Sequence, residues 1–229
     1  QLNYDLHWLL STQTGTNTGS IIINRTKQLY IANGIFNYNG GTTTLTGTGV
    51  APTTGNVYYY QATANINVTE MPDVFTFFDY SILNSNQNPI INNARLQFNY
   101  GNTINANMEN RDSVIISHSA NTYAGNFTTN ANSYLVLNGQ NSSSVIAFNN
   151  SWTNNGLIRY TSNGCNATNL QMNGATILTN PSGGVILSDL PGAGCYGYHV
   201  LTGAMNNEGT LQLNYDLHWL LSTQTGTNT

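Results

Sequence analysis

Charge is what this sequence most lacks. Of 229 residues only 14 carry a charge, five Lys or Arg and nine Asp or Glu, where an average soluble domain devotes about 25% of its residues to them. The five cations, Arg25, Lys27, Arg95, Arg111 and Arg159, stand singly. They leave no electrostatic footprint for nucleic acid or for an anionic lipid surface, and neither is expected as a partner. Long apolar runs are missing too. The best, Ile21-Ile22-Ile23 and Val74 to Phe78, fall well short of the roughly 18 residues that cross a bilayer, so no membrane span is expected. Cysteine occurs twice, as Cys165 and Cys195. A bridge between them would contribute about 3–4 kcal/mol through loop closure; two separate thiols or a link between chains are the alternatives.

In place of charge the chain carries 38 Asn and 30 Thr beside abundant Val, Ile, Leu, Tyr and Phe. Such a composition buries a core instead of staying disordered, and leaves a neutral, amide-rich surface.

The two ends of the sequence are the same. Residues 1–18, QLNYDLHWLLSTQTGTNT, recur unchanged at 212–229. The offset reads as one complete unit, 1–211, followed by the start of the next, 212–229, the mark of a tandem array. An appended copy of the first strand would look the same. Within the segment Leu2, Tyr4, Leu6, Trp8 and Leu10 alternate with polar residues, and Leu213, Tyr215, Leu217, Trp219 and Leu221 repeat the pattern. This is the period of a half-buried strand. Present at both ends of a unit, it is a candidate assembly strand that pairs from one unit into another.

Turn residues punctuate the rest densely, with Asn-Gly at Asn33, Asn39, Asn138, Asn155, Asn163 and Asn173. Between them lie short β-rich runs such as Leu29-Ile31, Arg95-Tyr100, Val114-Ser117, Tyr134-Leu137, Leu157-Tyr160 and Leu211-Leu217. The class is therefore all-β. Asn121, Asn138, Asn155, Asn173 and Asn207 recur at successive steps of 17, 17, 18 and 34 along the chain. That spacing suggests a parallel β-solenoid, or β-helix, with coils of about 17–18 residues, roughly twelve to a unit, and a rod near 58 Å long. Residues 58–69 resist this scheme. Their unbroken alternation implies one strand about 40 Å long, which a β-sandwich of jelly-roll or Greek-key type, with strands exchanged between units, accommodates better.

Three stretches, Trp152-Thr-Asn-Asn-Gly-Leu-Ile-Arg-Tyr160, Asn173-Gly-Ala-Thr-Ile-Leu-Thr-Asn180 and Asn206-Asn-Glu-Gly-Thr-Leu-Gln-Leu-Asn214, resemble the rungs of large microbial surface proteins of the filamentous-haemagglutinin type. The resemblance, best over 133–215, implies an extracellular, right-handed parallel β-helix serving as an adhesin or fibre. It brings no active-site residues with it.

Candidate chemistry is sparse. Glu70, Asp73 and Asp79 cluster around Met71-Pro72, and Glu109 and Asp112 flank Arg111. Either group could in principle bind calcium or cleave a glycoside, but solvated turns and local ion pairs explain both. His118 between two serines lacks a nucleophile elbow, and no three histidines have ligand spacing; it reads as a hydrogen-bonded surface histidine. No metal and no cofactor are expected. Six Asn-x-Ser/Thr sequons, at Asn24, Asn67, Asn126, Asn141, Asn149 and Asn166, permit glycosylation of an exported chain. The aromatic residues Tyr58 to Tyr60, Phe75, Phe77, Phe78, Tyr80, Tyr196 and Tyr198 divide between core, interface and a platform on which sugars could stack.

The expectation is a non-enzymatic repeat or subunit of an extracellular filament, sheath or adhesin stalk, self-assembling through strand pairing with copies of itself. Two alternatives stand beside it: a glycan-binding adhesin module that meets sugars or a cell surface, and a polysaccharide-cleaving β-helix enzyme.

Overall fold

In a computed structural model, which describes residues 4–118, 120–139, 142–162, 165–189, 197–221 and 227–228, every strand pairing is parallel. Strands of two to five residues run along three faces and turn sharply at each corner, so that a coil lays one strand on each face, except that the coil of Val57–Tyr60 and Thr63–Ile66 has only the isolated bridge Glu70↔Ile91 on the third. The first face holds ten strands, from Leu6–Leu9 to Thr210–Leu213. The second also holds ten, from Thr14–Asn17 to Leu217–Leu220. The third holds seven, from Ile90–Asn92 to Thr227–Asn228, preceded by a separate pair formed by Ile21–Asn24 and Thr43–Thr46. The chain is a parallel β-solenoid. A sandwich of antiparallel strands is excluded, because a Greek key or jelly roll requires reversals of direction that these sheets do not contain.

The coils are longer and less regular than the asparagine spacing suggested. On the first face the step from one coil to the next is short at Arg95↔Ser113 but ten positions longer at Leu29↔Val57 and at Leu157↔Val185. Ten coils, not twelve, fill the described chain.

Residues 58–69 are not one strand. They divide into Val57–Tyr60 on the first face and Thr63–Ile66 on the second, with Gln61 at the corner in the left-handed region, φ 50°. The corner also shifts the phase: Tyr59 is buried before it, and Ala62, Ala64 and Ile66 are buried after it. The same single-residue corner recurs coil after coil, at Asn33 (φ 60°), Gln61, Tyr80 (φ 50°), Gly101 (φ 55°) and Ala120 (φ 67°). One left-handed residue redirects the backbone within a single step, which lets a strand end on one face and resume on the next. The run Leu211-Leu217 likewise breaks at a corner, between Thr210–Leu213 and Leu217–Leu220.

Inward-facing side chains stack on their counterparts one coil away. Tyr59, Phe78, Phe98 and Ile116 form one such column, with Tyr59–Phe78 and Phe78–Phe98 ring centroids each 4.9 Å apart and their planes nearly parallel. The core is one continuous apolar cluster from Leu10 to Met205.

Asparagine has a place inside this core. At the corner between the third and first faces, Asn92, Asn110, Thr129, Asn154, Asn180 and Asn207 occupy successive coils and are all buried. Side-chain hydrogen bonds link Asn92 to Asn110 (2.8 Å), Thr129 to Asn154 (2.9 Å), Asn154 to Asn180 (2.8 Å) and Asn180 to Asn207 (2.6 Å). An amide donates and accepts at once, so a column of them is satisfied internally where an apolar residue would strand the corner's carbonyls. Of the five residues picked out by spacing, only Asn207 belongs to this column. Asn138 ends a first-face strand, Asn155 and Asn173 sit beside corners, and Asn121 bonds to Asn102 in a different buried pair (2.8 Å). After Asn154 and Asn207 the chain continues x-Gly. A β-carbon at Gly156 or Gly209 would lie 2.4 Å from two backbone carbonyl oxygens of the neighbouring coil, so only glycine fits.

Candidate functional site

The outward side of the first face carries a row of aromatic rings over its first coils. His7, Tyr30, Tyr58 and Phe77 occupy one register position in four consecutive coils, with centroids 5.1 Å apart at each step. The coil rise of about 4.8 Å brings equivalent residues this close without any local adjustment. A second row runs beside it toward the corner. Tyr60 lies 6.2 Å from both Tyr30 and Tyr80, Tyr80 stacks on Tyr100 at 5.4 Å with planes 9° apart, and Tyr100 touches His118 at 4.0 Å. Tyr80 owes its position to the left-handed corner it occupies, which turns its ring outward; it is 51% exposed.

Asp79 sits beneath these rings. It is buried, its Oδ2 accepts a 2.7 Å hydrogen bond from the Tyr58 hydroxyl, and its Oδ1 accepts one from the Tyr100 amide at 3.3 Å. Burial foremost, and then the Asp79 carboxylate, push the Tyr58 phenol well above its ordinary range. His118 is buried, contrary to the expectation of a surface histidine, because Tyr100 covers it; burial lowers its pKa, with Asp79 opposing. Its Nδ1 has no hydrogen-bond partner among the described residues. Phe77 faces outward but is roofed over by Phe75, whose own ring lies under the Arg95 guanidinium at 4.1 Å.

This arrangement offers flat apolar rings flanked by phenolic hydroxyls, the surface on which a sugar ring stacks by its C–H face while its hydroxyls find partners at the edge. It does not offer converging acids. Glu109 is held by Arg111 through two hydrogen bonds of 2.8 and 3.2 Å, which keep its pKa low. Asp189 pairs with Arg159, Glu70 accepts a bond from Asn93 at 3.4 Å, and Asp73 and Asp112 are exposed. Among the described residues no three His, Cys, Asp or Glu side chains group as metal ligands would.

Of the aromatic residues named from sequence, Tyr58, Tyr60 and Tyr80 join the strip, Tyr59 and Phe78 are core, Tyr198 is exposed elsewhere, and Tyr196 lies outside the described residues. Tyr30 and Tyr100 escaped the sequence reading, and His118 was read without its ring neighbours, because their partners in the strip lie a full coil away along the chain. Cys165 is exposed, whereas Cys195 lies outside the described residues. Among the sequons Asn126 and Asn149 are exposed and Asn24 and Asn166 half-buried; Asn67 donates its side-chain nitrogen to Asn39 at 2.7 Å, and Asn141 lies outside the described residues. In the assembly segments, Leu2 lies outside the described residues, Tyr4 and Leu6 are exposed, Trp8 is half-buried and Leu10 buried. In the second copy Tyr215, Leu217 and Trp219 are half-buried, and Leu213 and Leu221 exposed.

A second polar pair lies within the core and illustrates what is structural here. His199 is fully buried, with Nδ1 2.8 Å from Ser188 Oγ and its ring flanked by Tyr160 and Tyr215. No substrate reaches a Ser-His pair so enclosed. Burial lowers its pKa from 6.5 to about 4, with Asp189 acting the other way. Between those values the unfolded chain takes up a proton that the folded chain refuses. The stability due to this neutral imidazole is therefore complete above pH 6.5 and is lost as the pH falls toward 4, by about 2–3 kcal/mol. Urea unfolding at pH 7 and pH 4.5 should show a smaller drop for His199→Gln than for the parent. Equal drops would mean that His199 does not titrate in this range.

Comparison with protein-family models, with curated proteins and with solved structures finds no match for this chain.

Proposed function

We propose that the chain is a structural segment of an extracellular filament, sheath or adhesin stalk, built by stacking solenoid coils and continued from unit to unit by strand pairing. The observation that carries this reading is a set of exposed apolar side chains at the two ends of the rod. Tyr4, Leu6, Leu9, Leu213, Leu220 and Leu221, between 43% and 82% exposed, all fall in the first or last coil, and all belong to one or other copy of the duplicated segment. Leu6 and Leu213 are inward positions that the next coil of a stack would cover, whereas Leu9 and its copy Leu220 point outward. Neutral strands with few Lys or Glu to guard their edges favour such continuation over a free monomer. The rung-like stretches that resemble filamentous-haemagglutinin proteins support the same placement outside the cell. Electron micrographs of the native material should show filaments one solenoid wide. A monodisperse particle of single-unit length would overturn the proposal.

The aromatic strip favours a second reading, a glycan-binding module. If it holds, a glycan array probed with the parent chain gives hits that Tyr80→Ala combined with Tyr100→Ala reduces by at least tenfold. Equal binding by parent and variant would rule out the strip as the sugar platform.

A further inference from the structure

The two copies of the repeated end segment do not lie on the same face. Leu6–Leu9 is the first strand of the first face, whereas its copy Leu217–Leu220 is the tenth strand of the second. The following strand moves in the same way: Thr14–Asn17 lies on the second face, and Thr227–Asn228, the copies of Thr16 and Asn17, on the third. The displacement from one copy to the other is thus nine complete coils plus one face.

Each copy also displays a different neighbour. The first copy is followed by the strand Leu29–Ala32, with Leu6↔Leu29, His7↔Tyr30 and Trp8↔Ile31 in register. The second is preceded by His199–Thr202, with His199↔Leu217, Val200↔His218 and Leu201↔Trp219. These two neighbours fit one strand simultaneously. His199 and Leu201 point inward on one side, Leu29 and Ile31 point inward on the other, and the positions between them, Val200 and Tyr30, both point out. The outward rows agree as well. The Tyr198 ring meets His218 at 5.7 Å and the Tyr30 ring meets His7 at 5.1 Å. Thr227 donates its hydroxyl to Asn206 at 3.0 Å, while the equivalent Thr16 accepts from Asn37 at 3.4 Å. One hydroxyl can do both. The amide row Asn37, Asn65, Asn84 and Asn105, linked at 2.7, 3.0 and 2.8 Å, would then run on without a break from Asn206 of the preceding unit.

We infer that the duplicated segment is the junction between consecutive units, and that each unit is turned by one face relative to the one before. The partner that fits each end is therefore another copy of this unit, docked with its first face continuing the second face of its predecessor. Successive aromatic strips face three different directions. The pattern returns after three units, or 28 coils, about 135 Å along the axis at about 4.8 Å per coil. This inference rests on the array reading above and adds to it the register and the turn.

The test uses the full chain with Cys165 and Cys195 changed to Ser. Adjacent in-register strands place their Cα atoms about 5 Å apart, within reach of a disulfide. The pair Val200→Cys with His218→Cys and the pair His7→Cys with Tyr30→Cys should each cross-link under mild oxidation, whereas Leu187→Cys with His218→Cys should not. All five positions point outward, so the core is untouched. A cross-link from position 187 in place of 200 would put the second copy on the first face and overturn the turn, while leaving the array reading standing. Helical diffraction from native filaments gives the independent measurement. A layer line near 135 Å supports the screw, and a true repeat at one unit, about 45 Å, overturns it. Expected cross-links with no filaments would instead remove the array, and the inference with it.

Discussion

Asn154→Ala should destabilise the solenoid by about 3–5 kcal/mol, more than most single substitutions do. The side chain makes five hydrogen bonds while fully buried. Its nitrogen donates to Asn180 Oδ1 (2.8 Å) and to the Gly156 and Val185 carbonyls (3.2 Å each), and its oxygen accepts from Thr129 Oγ1 (2.9 Å) and the Gly156 amide (3.3 Å). Alanine removes all five, and inside the core it takes their donor from Asn180 Oδ1 and from the Gly156 and Val185 carbonyls, while the Gly156 amide keeps its bond to Thr129 Oγ1. Asn154→Asp is informative as a second variant, because it keeps the shape and the acceptors but loses the donor and adds a buried charge. Denaturant unfolding followed by circular dichroism measures both. A loss under about 1 kcal/mol for Asn154→Ala would mean that the column carries little of the stability. The outward-facing amide row should behave differently: Asn84→Ala, removing the bonds of a half-buried side chain at the edge of solvent, should cost about 0.5–1 kcal/mol.

Phe98→Ala should cost about 3–5 kcal/mol by another route. Phe98 is fully buried, stacks on Phe78 at 4.9 Å, and pairs in register with Ile116 in the following coil. Both neighbours belong to backbone fixed by strand hydrogen bonds, so the coils cannot close over the space the ring leaves. In a stack where each coil contacts only its neighbours, such a cavity weakens two interfaces at once. Unfolding should then become less cooperative, with a first phase ascribable to one half of the rod. Thr128→Ala, on an exposed outward position, serves as the comparison and should change stability by less than about 0.5 kcal/mol.

The strands themselves were legible in the sequence, because inward and outward residues alternate along Leu157–Thr161 or Val185–Ser188 in the ordinary way. Corners were not. A single left-handed residue such as Gln61 leaves the apparent alternation of 58–69 intact while exchanging its faces, so one long strand and two short ones look identical on paper. The interior asparagines were hidden by their own abundance, and by coils of unequal length that obey no fixed spacing. The usable signal was local: Asn154-Asn155-Gly156 and Asn207-Glu208-Gly209 both place Asn two positions before a corner glycine. Burial of His118 and His199 could not have been read at all, since what covers them comes from other coils.

The rows of amides outside the rod have a physical consequence for the medium it works in. Asn37, Asn65, Asn84 and Asn105 hold one another by neutral dipoles, and among the described residues two ion pairs, Arg111 with Glu109 and Arg159 with Asp189, lie at the surface. Dissolved ions screen charges over a Debye length of about 8 Å at physiological strength, but they find almost nothing here to screen. A surface of this kind keeps the same cohesion in fresh water and in brine.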